Sequence, residues 1–144
     1  MYEVPLYKVI LSGTLEIEDI KLNISSDFKA YRFGVHMEDE NDNPKMVGFQ
    51  EAQSYYLNWD YITTMKGFAW RVTEGWFLHK GPDDPLTQIY GSIGCIEICG
   101  KGEWNRFNDY VKWFTGSNDE NEISKNKLLR INYEKAIKPN LKKK

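Results

Sequence analysis

The chain of 144 residues is 41% hydrophobic, 15% aromatic and 28% charged, with a formal net charge of −2. This length fits one domain that buries roughly two-thirds of its unfolded surface, and the hydrophobic content excludes a disordered chain. The basic residues are dispersed apart from a Lys-rich end, so no nucleic-acid partner is expected. No apolar run is long enough to span a membrane, and the first residues lack the regions of a Sec signal.

Short runs enriched in β-branched and aromatic residues predict a mostly β fold. Turn residues separate these runs, as at Ser12-Gly13 and within residues 81–85. In chain order, the predicted strands cover residues 6–11, 14–17, 31–37, 67–72, 76–79, 93–98 and 128–133.

Two helices are predicted beside the strands. Between residues 103 and 115, apolar side chains recur every three or four positions, and Gly116 supplies a C-terminal stop. The apolar side chains of this stripe are Trp104, Phe107, Tyr110, Val111 and Phe114. A second helix is predicted over residues 48–59, where charged and aromatic residues mix without clean periodicity.

A histidine and a cysteine lie at the ends of two predicted strands, in a pattern typical of nucleophilic catalysis. His79 ends one predicted strand, and Ser92-Ile93-Gly94-Cys95 leads into another after a gap of twelve residues. Neighbouring strand ends would bring the imidazole to the thiol and let it act as base. The amides of Gly94 and Cys95 are candidate oxyanion donors, and Ser92 is a candidate for holding the imidazole.

The pattern His-x12-Ser-x-Gly-Cys-Ile-x-Ile resembles the signature of the L,D-transpeptidase catalytic domain, the YkuD-type family. The resemblance implies a β-sandwich with one or two short helices over residues 1–137. The lysines that follow predict a basic C-terminal tail over residues 138–144. The resemblance also implies that Cys95 attacks a peptidoglycan stem tetrapeptide, with His79 as base and Ser92 as the neighbouring motif residue. The Lys80 carbonyl would orient the ring. D-alanine leaves, and an amine or water resolves the thioester.

Two residues depart from the family pattern. Ile93 stands where a basic or imidazole residue is common, and Glu97 stands where the family has an arginine. If that arginine binds substrate carboxylates, Glu97 would repel them. Among nearby cations, Arg71 and Lys80 are candidates to compensate, as is Arg106.

Less specific interpretations apply to the same residues. Free cysteines are often small buried core residues, which is the interpretation for Cys99 and the alternative for Cys95. A zinc site built from His36, His79 and both cysteines would lack any of the usual close ligand pairs, so no metal or other cofactor is expected.

The sequence therefore predicts a cysteine acyltransferase of peptidoglycan stem peptides, acting as L,D-transpeptidase or L,D-carboxypeptidase. Its substrate lies in the periplasm or cell wall, and without a Sec signal it would need delivery, as for a bacterial toxin effector. A secretion apparatus and an immunity protein are then candidate partners. The alternatives are a non-catalytic cell-wall or protein-binding module on the same fold, and a cysteine hydrolase of another amide.

Overall fold

The computed structural model describes residues 4–38, 40–41, 43–49, 51, 53–61, 68–73, 76–84 and 95–142. These residues confirm the predicted mostly β fold class. The strands are β1 (Tyr7–Ile17), β2 (Ile20–Tyr31), β3 (Gly34–Glu38), β4 (Pro44–Val47), β5 (Gln53–Tyr56), β6 (Asn58–Tyr61), β7 (Phe68–Thr73), β8 (Trp76–Lys80), β9 (Ile96–Ile98) and β10 (Leu129–Tyr133). The helices are α1 (Glu103–Thr115) and α2 (Glu120–Lys125).

Eight of these strands form one sheet that is nearly closed. Their order is β5-β10-β1-β2-β9-β8-β7-β6, so the two edge strands β5 and β6 are consecutive along the chain. The buried Leu57 joins them, and its N–H donates to the Leu129 carbonyl at 3.2 Å. Because the sheet is nearly closed, little of its edge is open to other chains, which limits unwanted strand pairing. Strands β3 and β4 form a separate two-stranded sheet.

A short strand, β9, lies between two long-range partners. It pairs antiparallel with β2 and parallel with β8. All other strand pairs among the described residues are antiparallel. A parallel pair needs a crossover connection rather than a hairpin, and here residues 81–95 make that connection.

The helix α1 packs on β1 and β2 through its apolar stripe. Phe107, Val111 and Phe114 are buried, and the ring of Phe107 lies 5.1 Å from that of Phe28. Gly116 ends the helix in the left-handed region at φ 68, a conformation that costs glycine little. The predicted helix over residues 103–115 and its stop are confirmed.

Two local predictions are wrong. Residues 53–61 contribute the strands β5 and β6 instead of the predicted helix over residues 48–59, because the buried Leu57 and the pairing of β5 with β10 outweigh helix propensity. Ser12 and Gly13 lie inside β1 and not in a turn. A Cβ at Gly13 would lie 2.5 Å from the Leu129 side chain, so this glycine permits close packing within a strand.

Several elements differ from the predicted ranges. The predicted strand over residues 31–37 is divided between the end of β2 and the start of β3, with Arg32 and Phe33 between them. Of the predicted strand over residues 93–98, Ile96–Ile98 is observed, and residues 93 and 94 lie outside the described residues. Within the described part of the chain, no helix is long and apolar enough to cross a bilayer.

Candidate active site

One row of side chains crosses three neighbouring strands. Tyr31 of β2 is paired with Glu97 of β9, and Glu97 is paired with His79 of β8. Residues paired in this way project from the same face of a sheet. The opposite face carries Ala30, Ile98 and other core residues that pack beneath α1. The row is therefore separated from the main apolar core by the sheet itself.

The His79 imidazole is buried and fixed by a backbone carbonyl. Its exposed fraction is 4%, and Nδ1 lies 2.9 Å from the Lys80 carbonyl oxygen. Because a carbonyl oxygen only accepts, the proton of the neutral ring lies on Nδ1 and the lone pair on Nε2. Burial lowers the pKa of His79 and outweighs the opposing effect of this hydrogen bond. Nε2 is thus the basic atom of a neutral ring.

Cys95 lies directly before β9, two residues ahead of Glu97. Extending the alternation of β9 by one residue places Cys95 on the same face as Glu97 and level with Phe77. Burial raises the pKa of the Cys95 thiol, a hydrogen bond with the Phe77 backbone lowers it, and the charge of Glu97 raises it. The resting thiol is protonated, so its reactivity depends on a base that removes the proton during the reaction.

Glu97 is the acidic member of the row. Its Oε1 lies 3.9 Å from His79 Nε2, and only 16% of its side chain is exposed. Its Oε2 is buried and has no hydrogen-bond partner among the described residues. Burial raises the pKa of Glu97 to about 7. Because burial disfavours charge on both partners, the imidazole is neutral near pH 7 and the carboxyl is only about half ionised, so it readily gains or loses a proton.

Tyr31 completes the row on the far side of Glu97. It is buried, and its pKa is raised to about 12 by burial first and then by Cys99, Glu97 and Asp84. The phenol therefore stays protonated. Sequence reasoning missed Tyr31, because its place beside Glu97 depends on pairing between residues far apart in the chain.

Cys99 and Gly81 pack behind Glu97. The Cys99 thiol donates to the Glu97 carbonyl at 3.2 Å, and its pKa is raised to about 12, chiefly by burial. This supports the predicted packing role. A Cβ at Gly81 would lie 2.8 Å from the Ile98 carbonyl oxygen and 3.1 Å from both Cys99 Sγ and Glu97 Cβ. Gly81 was not predicted to contribute to the site, yet it permits the close approach of the chain after β8.

The cationic candidates for substrate binding occupy three different places. The Lys80 ammonium lies 3.6 Å from Asp83, and both side chains are half exposed. Arg71 is exposed on β7, paired with Phe77, and its guanidinium lies 5.8 Å from the Phe77 ring centroid. Since Phe77 is level with Cys95, Arg71 is on the same face as the cysteine. Arg106 of α1 instead binds Glu103 at 2.6 Å and lies apart from the row.

Three predicted site residues, Ser92, Ile93 and Gly94, lie outside the described residues. The prediction of an oxyanion hole from the Gly94 and Cys95 amides and of an imidazole contact from Ser92 stays a prediction. His36 is in β3, which belongs to the separate two-stranded sheet and not to the sheet that carries the row. Among the described side chains, no group of three potential metal ligands comes together.

A cavity of about 560 Å³ lies away from Cys95, over β1, β2 and β10. Polar side chains line much of it, including Ser12, Asn23 and Arg130. A cavity of about 390 Å³ lies nearer the row, where Cys99 and Lys29 meet Arg106 and Glu103. Neither cavity is lined by Cys95 or His79 within the described part of the chain.

Comparison with known proteins returns no relatives. No protein-family model matches the chain, and neither does any curated protein or solved structure. The proposed function therefore rests on the chemistry of Cys95 and of the row formed by Tyr31, Glu97 and His79.

Proposed function

We propose that this protein is a cysteine acyltransferase that acts on peptidoglycan stem peptides through a thioester at Cys95. The observation that carries the proposal is the His79 ring, whose Nδ1 meets the Lys80 carbonyl at 2.9 Å on the strand beside Cys95. This is the orientation that the L,D-transpeptidase resemblance implies. It leaves Nε2 as the base on the cysteine face of the sheet. The finer assignment to the L,D-transpeptidase β-sandwich is part of the same proposal.

In the proposed reaction, His79 Nε2 takes the thiol proton as Cys95 Sγ attacks the amide carbonyl of the stem peptide. The C–S bond forms, and a tetrahedral oxyanion develops that the Gly94 and Cys95 amides would stabilise. The C–N bond then breaks, and the imidazolium gives its proton to the departing amine. The product is a thioester, which water or a second amine resolves.

Arg71 is the proposed binding group for a carboxylate of the acyl donor. It lies on the cysteine face beyond Phe77, whereas Glu97 and Tyr31 lie on the other side of His79 in the sheet order. A donor carboxylate is attracted toward Arg71 and repelled by an ionised Glu97. The donor would therefore extend from Cys95 toward β7.

A non-catalytic cell-wall-binding module is the second candidate. Two observations favour it: burial raises the pKa of the Cys95 thiol, and Glu97 occupies the place of the family arginine. Sedimentation with purified sacculi distinguishes this candidate. Binding without any covalent adduct on Cys95 would support the module and contradict the acyltransferase.

The test of the acyltransferase is mass spectrometry of the protein incubated with a disaccharide-tetrapeptide. We expect a thioester adduct on Cys95, together with released D-alanine or a cross-linked dimer. Cys95→Ala should lose both while keeping its thermal transition. Cys99→Ala is the matched control, since it removes a packing thiol and should retain the adduct. An adduct absent from the unmodified protein, or turnover that survives in Cys95→Ala, would contradict the proposal.

We also propose that the protein acts outside the cytoplasm after delivery, as an antibacterial effector would. Expression in a bacterial host with and without a periplasmic leader tests this. We expect lysis or altered wall cross-linking only with the leader and only with an intact Cys95. Equal growth of all strains would contradict a role as a cell-wall toxin.

A further inference from the structure

Glu97 carries a buried oxygen that no described group satisfies. Oε2 has less than 1 Å² of exposed surface and no hydrogen-bond partner among the described residues, while Oε1 faces His79 Nε2 at 3.9 Å. This distance exceeds that of a hydrogen bond. Leaving a buried carboxylate oxygen unpaired costs free energy, so this atom is a candidate to be completed by a bound ligand.

Among the described residues, the groups around Glu97 do not supply a fixed positive charge. Tyr31 faces it from β2, and His79 faces it from β8. Cys95 and Cys99 flank it along its own strand, and Asp84 acts on the same cluster through Tyr31. Of these, His79 alone can become a cation, and burial lowers its pKa. The surroundings of Glu97 thus favour a hydrogen-bond donor or cation that arrives with the substrate.

We propose that Glu97 is the acceptor-side catalytic residue: its carboxylate binds an incoming primary amine and takes the proton that the amine releases on attacking the Cys95 thioester. This inference rests on the proposed acyltransferase function and deepens it, because it identifies a primary amine as the preferred acceptor. It also gives the departure from the family arginine a chemical role. A cation at this position would repel a protonated amine, whereas a carboxylate attracts it.

Glu97, His79 and Cys95 account for the proton transfers of the aminolysis step. The acceptor that Glu97 attracts as an ammonium first loses one proton to solvent. The neutral amine nitrogen then attacks the thioester carbonyl, a C–N bond forms, and the C–S bond breaks to release the Cys95 thiolate. The nitrogen loses one proton to the Glu97 carboxylate. Once side-chain motion closes the 3.9 Å gap between Oε1 and His79 Nε2, that proton passes to the imidazole and then to the thiolate, which restores the thiol, the neutral ring and the carboxylate. The pKa of Glu97, raised by burial to about 7, suits a group that exchanges protons at neutral pH.

The test measures how the Cys95 acyl-enzyme is partitioned between two acceptors. The protein is loaded with a defined tetrapeptide donor in the presence of glycinamide as the amine probe, and mass spectrometry counts aminolysis and hydrolysis products. We expect Glu97→Gln to lower the aminolysis-to-hydrolysis ratio by about tenfold or more, while the Cys95 adduct still forms. The ratio is corrected for the fraction of glycinamide present as free amine, because that fraction itself rises with pH. In the unmodified protein the corrected ratio should rise with pH through about 7, and in Glu97→Gln this rise should be absent.

Asp83→Asn is the matched control, because it neutralises a half-exposed carboxylate that pairs with the Lys80 ammonium instead of facing Cys95. Its partition ratio should equal that of the unmodified protein. If Glu97→Gln does not fold, Glu97→Asp keeps the carboxylate, and we expect a reduced ratio that still depends on pH.

The outcomes separate the two proposals. An unchanged ratio in Glu97→Gln, with the adduct present, would overturn the role of Glu97 and leave the acyltransferase proposal standing. A pH-independent ratio in Glu97→Asp would also overturn it. Failure to form any adduct in the unmodified protein would overturn the acyltransferase and, with it, this inference.

Discussion

His79 and Glu97 face each other across the parallel strands β8 and β9, with Nε2 and Oε1 3.9 Å apart. Burial raises the pKa of the carboxyl to about 7 and lowers the pKa of the imidazole, which reverses the usual order of the two groups. At neutral pH a proton shared by the pair therefore lies more on the carboxyl than on the imidazole. An ordinary surface ion pair, with both partners charged at neutral pH, would not behave in this way.

The first prediction concerns stability against pH. The pKa of Glu97 is about 7 when folded and near 4.5 when unfolded, so its contribution is present below about pH 4.5 and lost as pH rises through about 7. His79 acts oppositely, because its lowered pKa gives stability above pH 6.5 that is lost in acid. Glu97→Gln should therefore gain up to about 3 kcal/mol relative to the unmodified protein between pH 5 and pH 8. Urea unfolding of both proteins at pH 5 and pH 8 measures this. The same difference in unfolding free energy at the two pH values would contradict the prediction.

The second prediction concerns the rate of Cys95 alkylation and distinguishes the effect of the His79 side chain from that of the Lys80 side chain. His79→Ala should slow alkylation of Cys95 by iodoacetamide by about tenfold, because the base at Nε2 is removed. Lys80→Ala should leave the rate nearly unchanged, because His79 uses the Lys80 carbonyl and the ammonium pairs with Asp83. Intact-mass kinetics in a Cys99→Ala background report on Cys95 alone. An equal loss in Lys80→Ala would mean that the ammonium contributes directly.

The third prediction concerns the glycine behind Glu97. Gly81→Ala places a Cβ 2.8 Å from the Ile98 carbonyl oxygen, so β9 must shift. We expect a loss of about 1–3 kcal/mol in unfolding free energy and slower Cys95 alkylation. Gly116→Ala is the control, since its Cβ meets nothing within 4 Å and only the left-handed φ of 68 is penalised. It should cost about 1 kcal/mol and leave alkylation unchanged.

The fourth prediction tests how α1 is attached to the sheet. Asn108 Oδ1 accepts from Trp70 Nε1 at 2.9 Å, and its Nδ2 donates to the Trp104 carbonyl at 2.9 Å. Asn108→Ala leaves the buried indole N–H of Trp70 unpaired and should cost about 1–3 kcal/mol. Asn105→Ala changes the same residue type on the exposed side of α1 and should stay within about 0.5 kcal/mol. Equal melting temperatures would show that this contact contributes nothing.

Local patterns predicted part of the fold well. The helix over residues 103–115 follows from an unbroken apolar stripe, and the strand at Trp76–Lys80 follows from its aromatic run. The long strand β2 was missed although Ile20, Leu22 and Ile24 alternate with polar residues in its first half. Ile20 and Leu22 are exposed, so this alternation does not mark a core face. The helix predicted over residues 48–59 was wrong because pairing with β10 is a long-range interaction that no local window contains.

The residues of the candidate site were likewise predicted only in part. A spaced motif was enough to single out His79 and Cys95, and the family resemblance of that motif implied the Lys80 carbonyl. The contact between His79 and Glu97 was not predicted, because it depends on the register of a parallel pair, and a shift of one residue would turn Glu97 to the other face. Tyr31 was missed for the same reason, since β2 and β9 meet only in the folded sheet.

The position of β9 also determines when the site can arise during folding. The β1–β2 hairpin closes over a two-residue turn and can form early, whereas β9 has three residues and must dock between strands that end at Tyr31 and Lys80. Closing such distant segments is slow compared with forming a hairpin or helix. Until β9 docks, a nascent or partly refolded chain therefore keeps Cys95 apart from His79, its proposed base. The His79-dependent increase in the rate of Cys95 alkylation during refolding would therefore report when the last stage of folding is complete.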